Sequence, residues 1–526
     1  GALEEQAADL AHHLYQAGGV ADPQKTVRYL ALAGDRALDA AAFEDALRHY
    51  ESALSLQPAD DRSGRADLLY KRGRSLYRLG RWEDALADWR EALDAFEELD
   101  EAEAVGRVCV EMYFPLSWSG RSQKSLEIAR RGLAALGERT SAGRCRLLLA
   151  AGNALGLSGD YDAAEGVISQ AMALAQELED QRLLGLVLFV KAEHHWLFMQ
   201  YREAADAALR AVETLRSASD LQWLAYALWT VAWASLHLGR LDEVAPIVEE
   251  AEPLATRLGD FGALMMARRG RSLRELMVTG DLNRFEEFTK DDLELSRSAG
   301  LVSISSSYTL VGLVDFWSGR WPEALERFQE AARLERPGHS AGGDWGFLFL
   351  ATAYAPDKEA AMGMLDERKG HLPRSGRTNT LGAWTMLLAV VEGLAVLGER
   401  EEPAKLYPLV LEAIDTGTLI RWGDVRLLQA VAGMAAAAGG QWEKAGEHYE
   451  TALRQAHEIP HKIEQPEVRR WYARMLIERA QTGARPGDGP GDRDKAFRLL
   501  TEAIAVYREL GMPKHVEMAE ALLGEL

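Results

Sequence analysis

The sequence predicts an all-α chain, a solenoid of about twelve helical hairpins, and three observations carry that prediction. Apolar and small residues recur at helical spacing on both sides of short glycine turns. The turns return at a near-constant interval of about 40 residues, and a small residue stands three positions after most of them.

The stretch from Leu69 to Leu93 shows the unit most clearly. Leu69, Gly73 and Leu76 fall at i, i+4 and i+7, so a small residue sits between two apolar ones on one helical face. Ala85, Trp89 and Ala92 repeat that spacing on a second helix. Between them Gly80 suits the positive φ that ends a helix, and the polar run behind it begins the next. Small residues at Gly73, Ala85 and Ala92 let two helices approach closely, while Trp82 and Trp89 supply area to bury against a neighbouring hairpin.

One hairpin cannot hide its own apolar face, so a chain of this kind must repeat it. Taking the residue two after the turn glycine or its equivalent, the series runs Phe43, Trp82, Ser122, Tyr161, Tyr201, Leu241, Leu282 and Trp321, with intervals of 39 to 41 residues. It continues less evenly through Lys358, Glu401, Trp442 and Arg493. Val244 and Phe285 replace the small residue in two repeats, which makes those two looser matches.

The order Leu148, Gly152, Leu155, Gly159, Tyr161, Ala164 and Ala171 resembles the tetratricopeptide repeat, with Gly34, Gly73, Gly312 and Gly433 in the same small slot of other copies. That repeat is usually about 34 residues long. Copies near 40 residues resemble the sensor domains of signal-transducing ATPases with numerous domains, the maltose-regulon activator and cyclase-coupled ATPases among them. The resemblance implies a right-handed superhelix whose first helices line a concave face. It also implies that AADLAHHLYQAGG and the helix after it join the repeats to an upstream nucleotide-binding module, so the chain reads as a sensor fragment. The missing initiator Met agrees with that expectation.

Along the chain, a linker helix from Leu3 to Ala17 occupies 1–22, and Pro23 suits the first turn of a helix to Asp39. Regular repeats fill 23–336. A degenerate repeat with loops fills 337–379, and C-terminal repeats with a capping helix fill 380–526. Pro466 suits another helix start, and Gly483 to Asp494 reads as a flexible hairpin tip.

Composition sets limits. A hydrophobic fraction of 48% is ample for a continuous core, and no apolar run reaches the ~18 residues of a membrane span. A net charge of −21 argues against direct nucleic-acid binding, which draws on clustered Lys and Arg. Cys109 and Cys145 are expected as reduced core thiols of a cytoplasmic protein, with a disulfide as the alternative.

No motif for catalysis emerges. There is no GxxxxGK and no GxSxG, and Glu193-His194-His195 point about 100° apart on a helix, so they do not chelate jointly. Asp488, Asp492 and Asp494 lack the ligand spacing of a calcium loop. No enzyme activity, metal or cofactor is therefore expected.

Recognition is expected instead. The resemblance places groove positions 4, 5, 8, 12 and 15 residues before each turn marker, which selects Tyr70, Arg74, Tyr77, Phe114, Trp118, Asn153, Phe189, Glu193, Trp196, Tyr226, Trp229, Trp233, Arg274, Phe316 and Trp317. Rings interrupted by Arg, Asn and Glu suit stacking on flat faces with a few orienting hydrogen bonds. The expected function is a sensor that binds a protein, peptide or small-molecule effector in this groove. The alternative is a constitutive protein-interaction scaffold or oligomerisation module, favoured if the groove is filled by its own side chains.

Overall fold

A computed structural model describes residues 7–298, 300, 303–355, 357–482 and 488–526. Among them are 26 α-helices, and the one β-type pairing is an isolated bridge between Ile420 and Leu427. The expected start of the first helix, Leu3 to Gln6, and the tip at 483–487 lie outside the described residues.

Helix α1 is Ala7–Gln16, and twelve hairpins follow in which even-numbered helices come first and odd-numbered second. The early hairpins are α2 (Pro23–Asp39) with α3 (Phe43–Leu56), α4 (Arg62–Arg78) with α5 (Trp82–Glu98), α6 (Ala102–Trp118) with α7 (Ser122–Leu136), and α8 (Ala142–Leu157) with α9 (Tyr161–Glu177). Next come α10 (Gln181–Leu197) with α11 (Tyr201–Ser217), α12 (Leu221–His237) with α13 (Leu241–Leu258), α14 (Phe261–Thr279) with α15 (Leu282–Ser298), and α16 (Ile304–Trp317) with α17 (Trp321–Leu334). The last are α18 (Gly343–Tyr354) with α19 (Lys358–Arg368), α20 (Leu381–Val396) with α21 (Glu401–Asp415), α22 (Leu428–Ala438) with α23 (Trp442–Glu458), and α24 (Glu464–Thr482) with α25 (Asp488–Leu510), capped by α26 (Pro513–Leu523). None of these helices is long and apolar enough to cross a membrane.

The local signals act as their chemistry demands. Asp22 caps α2, its carboxylate accepting from the Gln24 and Lys25 amides, with Pro23 in the first turn. Gly80 takes a φ of 76° at the α4–α5 turn. The small slot has a defined occupant: Gly34, Gly73, Gly312 and Gly433 each face the ring that stands on the partner helix at Tyr50, Trp89, Phe328 and Tyr449. A methyl group on Gly433 would sit 2.8 Å from the Tyr449 ring, and one on Gly73 would collide with the Trp89 indole. That indole is fully buried and donates to the Tyr70 carbonyl at 3.0 Å. Cys109 and Cys145 are buried free thiols, and burial pushes them up to about 12 and about 11.

Two departures from the sequence reading stand out. The repeats after 380 are interrupted by an extended non-helical stretch between α21 and α22, and α25 already begins at Asp488, so 488–494 is helix rather than loop.

The hairpins form two compact units, Gly1–Leu155 with Gly166–Leu183, and Gly156–Glu165 with Leu184–Leu526. In the first, paired helices close over cores such as the cluster of Leu69, Trp89, Phe96, Val105 and Met112. In the second, late segments return onto the turns of early hairpins. The His237 carbonyl accepts from the Leu419 and Ile420 amides at 3.0 and 3.2 Å, and His237 Nδ1 lies 2.9 Å from the Ile420 carbonyl. The Met277 carbonyl accepts from the Lys462 amide at 2.7 Å, and the Leu157 carbonyl from the His339 amide at 2.9 Å. The consequence is that first helices become interior on every side: each residue from Leu224 to His237 of α12 is buried.

Two outcomes follow from this packing. Gly73→Ala is expected to destabilise the protein by about 1–3 kcal/mol through overpacking against Trp89. Gly363→Ala, where an added methyl meets nothing within 4 Å, is expected to be neutral or to stabilise by about 0.5–1 kcal/mol; denaturant midpoints of the two variants decide. His237 stacks on Tyr201 at 4.4 Å, and burial, opposed by its bond to Ile420, pushes its imidazole down to about 4. A group depressed in the folded state contributes stability that is complete above its unfolded value near 6.5 and is lost as pH falls. The stability advantage of the wild type over His237→Phe should therefore shrink by about 2 kcal/mol between neutral pH and about pH 5, measured by denaturant unfolding at both.

Candidate interaction surface

The expected groove residues divide between the two units, and their environments differ. In the first unit Tyr70, Arg74 and Tyr77 on α4, and Phe114 and Trp118 on α6, are partly exposed on the first-helix layer, while Asn153 on α8 is buried. Neighbouring first helices touch there through polar contacts. The Tyr70 hydroxyl donates to Glu111 at 3.4 Å, Arg74 lies 3.5 Å from the same carboxylate, and Ser117 donates to Asn153 at 3.5 Å. Burial, with Glu111 beside it, pushes the Tyr70 phenol up to about 12. Tyr77 packs between Trp82 and Trp89, and Phe114 lies against Trp118.

The same layer carries cations that the ring pattern overshadowed. Fifteen residues before successive turn markers stand Arg28, Asp67, Arg107 and Arg146. The three arginines are exposed, and none forms an ion pair among the described residues. Arg107 instead covers the Tyr70 ring, its guanidinium 5.7 Å from the ring centre. Most other arginines in this unit find carboxylates, as Arg62 does Glu98, Arg65 does Glu91, and Arg131 does Glu97. Arg90 and Arg130, on second helices, are exposed without an ion pair among the described residues. In a chain with 81 acidic residues, three of these four positions carry arginines without an ion pair among the described residues, and the fourth carries Asp67, which pairs with Lys71.

In the second unit the expectation of an open ring-lined groove is overturned. Phe189, Trp196, Tyr226, Trp229, Trp233, Phe316 and Trp317 are each at most 7% exposed. Trp196 meets Trp229 and Trp233 edge-on at 6.1 Å, an arrangement that suits ring quadrupoles. The Trp233 indole donates to the Met266 carbonyl at 2.9 Å, the Tyr226 hydroxyl to Asp260 at 2.8 Å, and Arg274 to the Leu241 carbonyl at 2.8 Å. Phe316 is covered by Tyr354 and by His515 from the capping helix. Trp317 packs on Phe285, and Glu193 is partly buried on α10. The physical reason is packing between hairpins: Phe189, Trp196, Tyr226, Trp229 and Trp233 meet one another across adjacent first helices, and the late capping helix covers Phe316.

That return also buries a charge network which the sequence reading missed. Arg421 pairs with Glu392 at 2.9 Å and with Asp424; Arg426 pairs with Glu392 at 2.6 Å, Glu464 at 2.6 Å and Glu467 at 3.0 Å; Arg470 pairs with Glu467 at 2.9 Å. All seven side chains are almost fully buried. Burial pushes the Glu464 carboxyl up to about 7 despite Arg426. Burial would raise Glu467 as well, but Arg470 and Arg426 hold it well below the usual carboxylate range. The signals were present: Glu392 is the one charge in LGAWTMLLAVVEGLAV, and Glu464, Glu467 and Arg470 recur every three residues along α24.

Residues 66–99 match the tetratricopeptide repeat family. No curated protein matches the chain. Among solved structures, aspartyl phosphate phosphatase F from Bacillus subtilis is similar at 17% identity over 54% of this chain and 75% of that one, with a TM-score of 0.40. The signal transduction ATPase with numerous domains and a tetratricopeptide repeat sensor from Pyrococcus horikoshii is similar at 14% identity over 67% of this chain and 53% of that one, with a TM-score of 0.41. The Cut9–Hcn1 hetero-tetramer of the APC/C is similar at 14% identity over 94% of both chains, with a TM-score of 0.50. That last likeness is one of fold: the chain is a stack of two-helix hairpins of the tetratricopeptide kind.

Proposed function

We propose that the chain is a non-catalytic docking module that holds an acidic segment of a partner protein along the first-helix layer of its first unit. The observation that carries this reading is the set of exposed arginines Arg28, Arg107 and Arg146, none in an ion pair among the described residues, on the first-helix layer that also carries partly exposed Tyr70, Phe114 and Trp118. Guanidinium groups bind carboxylates through paired, charge-assisted hydrogen bonds, and neighbouring rings give area for the apolar residues between the acids. Tetratricopeptide-type stacks offer long layers of this kind for polypeptides.

The filled interior of the second unit favours the scaffold reading over a small-molecule sensor using Trp196, Trp229 and Trp233. Should the chain serve as the sensor of a signal-transducing ATPase, the docked acidic segment would be its effector. The buried acids Glu392, Glu464 and Glu467 of the second unit are taken up by Arg421, Arg426 and Arg470.

Fluorescence anisotropy with a labelled peptide rich in Asp and Glu, interspersed with Phe, tests the reading. Arg107→Glu and Arg146→Glu are each expected to weaken binding about tenfold, and binding should fall steeply with added salt. Arg131→Glu, on a second helix and already paired with Glu97, should leave affinity unchanged. Equal affinity in the Arg107/Arg146 double variant, or tighter binding of a single-stranded oligonucleotide than of the peptide, would overturn it. A net charge of −21 favours the peptide, because the wider field repels a phosphate backbone.

A further inference from the structure

The last hairpins of the second unit enclose space where the earlier ones enclose rings. First helix α12 reads LQWLAYALWTVAWASLH and is buried from Leu224 to His237, whereas α22 reads LQAVAGMAAAA. A cleft of about 550 Å³ is bounded by α20, α22, α24 and α26, and α22 meets it with Met434, Ala437 and Ala438, where α12 carries Trp233, Leu236 and His237 at the same register. That volume lies within the range of small-molecule sites, roughly 300–1,000 Å³.

Its lining is ordered by polarity. Met434, Ala437, Ala438, Met475, Ala521 and Leu522 make apolar walls. Buried Tyr354, Tyr449 and Trp471 close the cleft, and Trp471 lies beneath two guanidiniums, Arg470 at 4.9 Å and Arg474 at 5.2 Å from its ring centre. Arg470 is committed to Glu467, but Arg474 and Arg400 share a single carboxylate. Glu478 Oε1 accepts from Arg474 at 3.0 Å, and its Oε2 lies 3.5 Å from Arg400. Of the other acids lining the cleft, Glu399 is engaged by Lys358 at 2.5 Å and Glu525 is exposed.

One carboxylate with each oxygen on a different arginine, at the mouth of an apolar cleft, is the arrangement a ligand carboxylate would adopt. Glu478 holds that place from a side chain that is 28% exposed. We propose that the cleft binds an amphipathic monocarboxylate, its apolar body against the alanine and methionine walls and its carboxylate replacing Glu478 between Arg400 and Arg474.

Isothermal titration of the full chain with octanoate, and in parallel with 1-octanol as the uncharged counterpart of the same tail, tests this. Octanoate is expected to bind about tenfold more tightly than octanol. Glu478→Gln, which removes the internal competitor, should tighten octanoate binding about tenfold and leave octanol unchanged, while Arg400→Gln with Arg474→Gln should abolish the preference for octanoate. Ala521→Phe, a substitution on the exposed wall, should block both ligands. Equal affinity for octanoate and octanol, or octanoate binding unaffected by Glu478→Gln and by the double arginine variant, would overturn the proposal. Both of those outcomes are read without Ala521→Phe, so its failure to fold would not protect the idea.

Discussion

The second unit depends on satisfying charge and backbone polarity in its interior. Arg426 sits among three carboxylates, Glu392, Glu464 and Glu467, which come from helices α20 and α24 while Arg426 itself lies on the non-helical stretch before α22. Burying ions is costly, and removal of one partner leaves an uncompensated charge, with penalties of about 3–5 kcal/mol. A network of this kind fixes geometry rather than adding net stability. It fixes the stretch from Thr416 to Leu427, whose backbone has no helix of its own. Glu464 accepts from the Leu427 amide at 3.0 Å, His461 Nε2 lies 2.8 Å from the Val425 carbonyl, and Arg421 donates to Asp424 at 2.7 Å. Val425 holds a φ of 55°, which a β-branched residue adopts only when its surroundings over-determine it. The same stretch supplies Leu419 and Ile420 to the His237 carbonyl, so the buried charges and the return of the chain are one construction.

The hairpins were legible because their signals are local. Turn glycines, N-terminal prolines and the slot at Gly73 opposite Trp89 act within about twenty residues of one another. Whether a first-helix layer stays open is different. That is settled by contacts such as His237 with Ile420, 183 residues apart, and no periodicity records them. One indirect sign existed. The helix α4 carries Arg65, Lys71, Arg72, Arg74 and Arg78, whereas α12 from Leu224 to Ser235 carries no charge at all. A helix apolar on every side belongs inside, and the tryptophans of α12 are better read as core than as lining.

The non-helical stretch was illegible for another reason. Asp415-Thr416-Gly417-Thr418 and Trp422-Gly423-Asp424 are turn chemistry, but they lie where the repeat interval of 41 residues from Glu401 to Trp442 promises an unbroken hairpin. The interval was kept by shortening α22 to 11 residues, so the count hid the change. Gly423 shows why glycine is there: its φ is 93°, and an added methyl would press on the Phe347 ring at 2.6 Å.

The contrast between the units bears on which residues answer to the fold and which to a partner. At the position fifteen before the turn marker, the second unit places Leu186, Tyr226 and Ala267, which are buried, and Ser306 and Glu478, which are partly exposed. An arginine at a buried one would have to leave water without a partner, at a cost of several kcal/mol. The first unit places Arg28, Arg107 and Arg146 at the same register, exposed and unpaired. The fold therefore requires apolar or small residues at this position only where it buries them. Where it does not, any soluble side chain would serve the stack, and an acidic one would match the surface of a chain with 81 acids and 60 bases. Arginine three times in four, against that background, is a feature the hairpins do not need, and it is the feature from which the proposed carboxylate-bearing partner is argued.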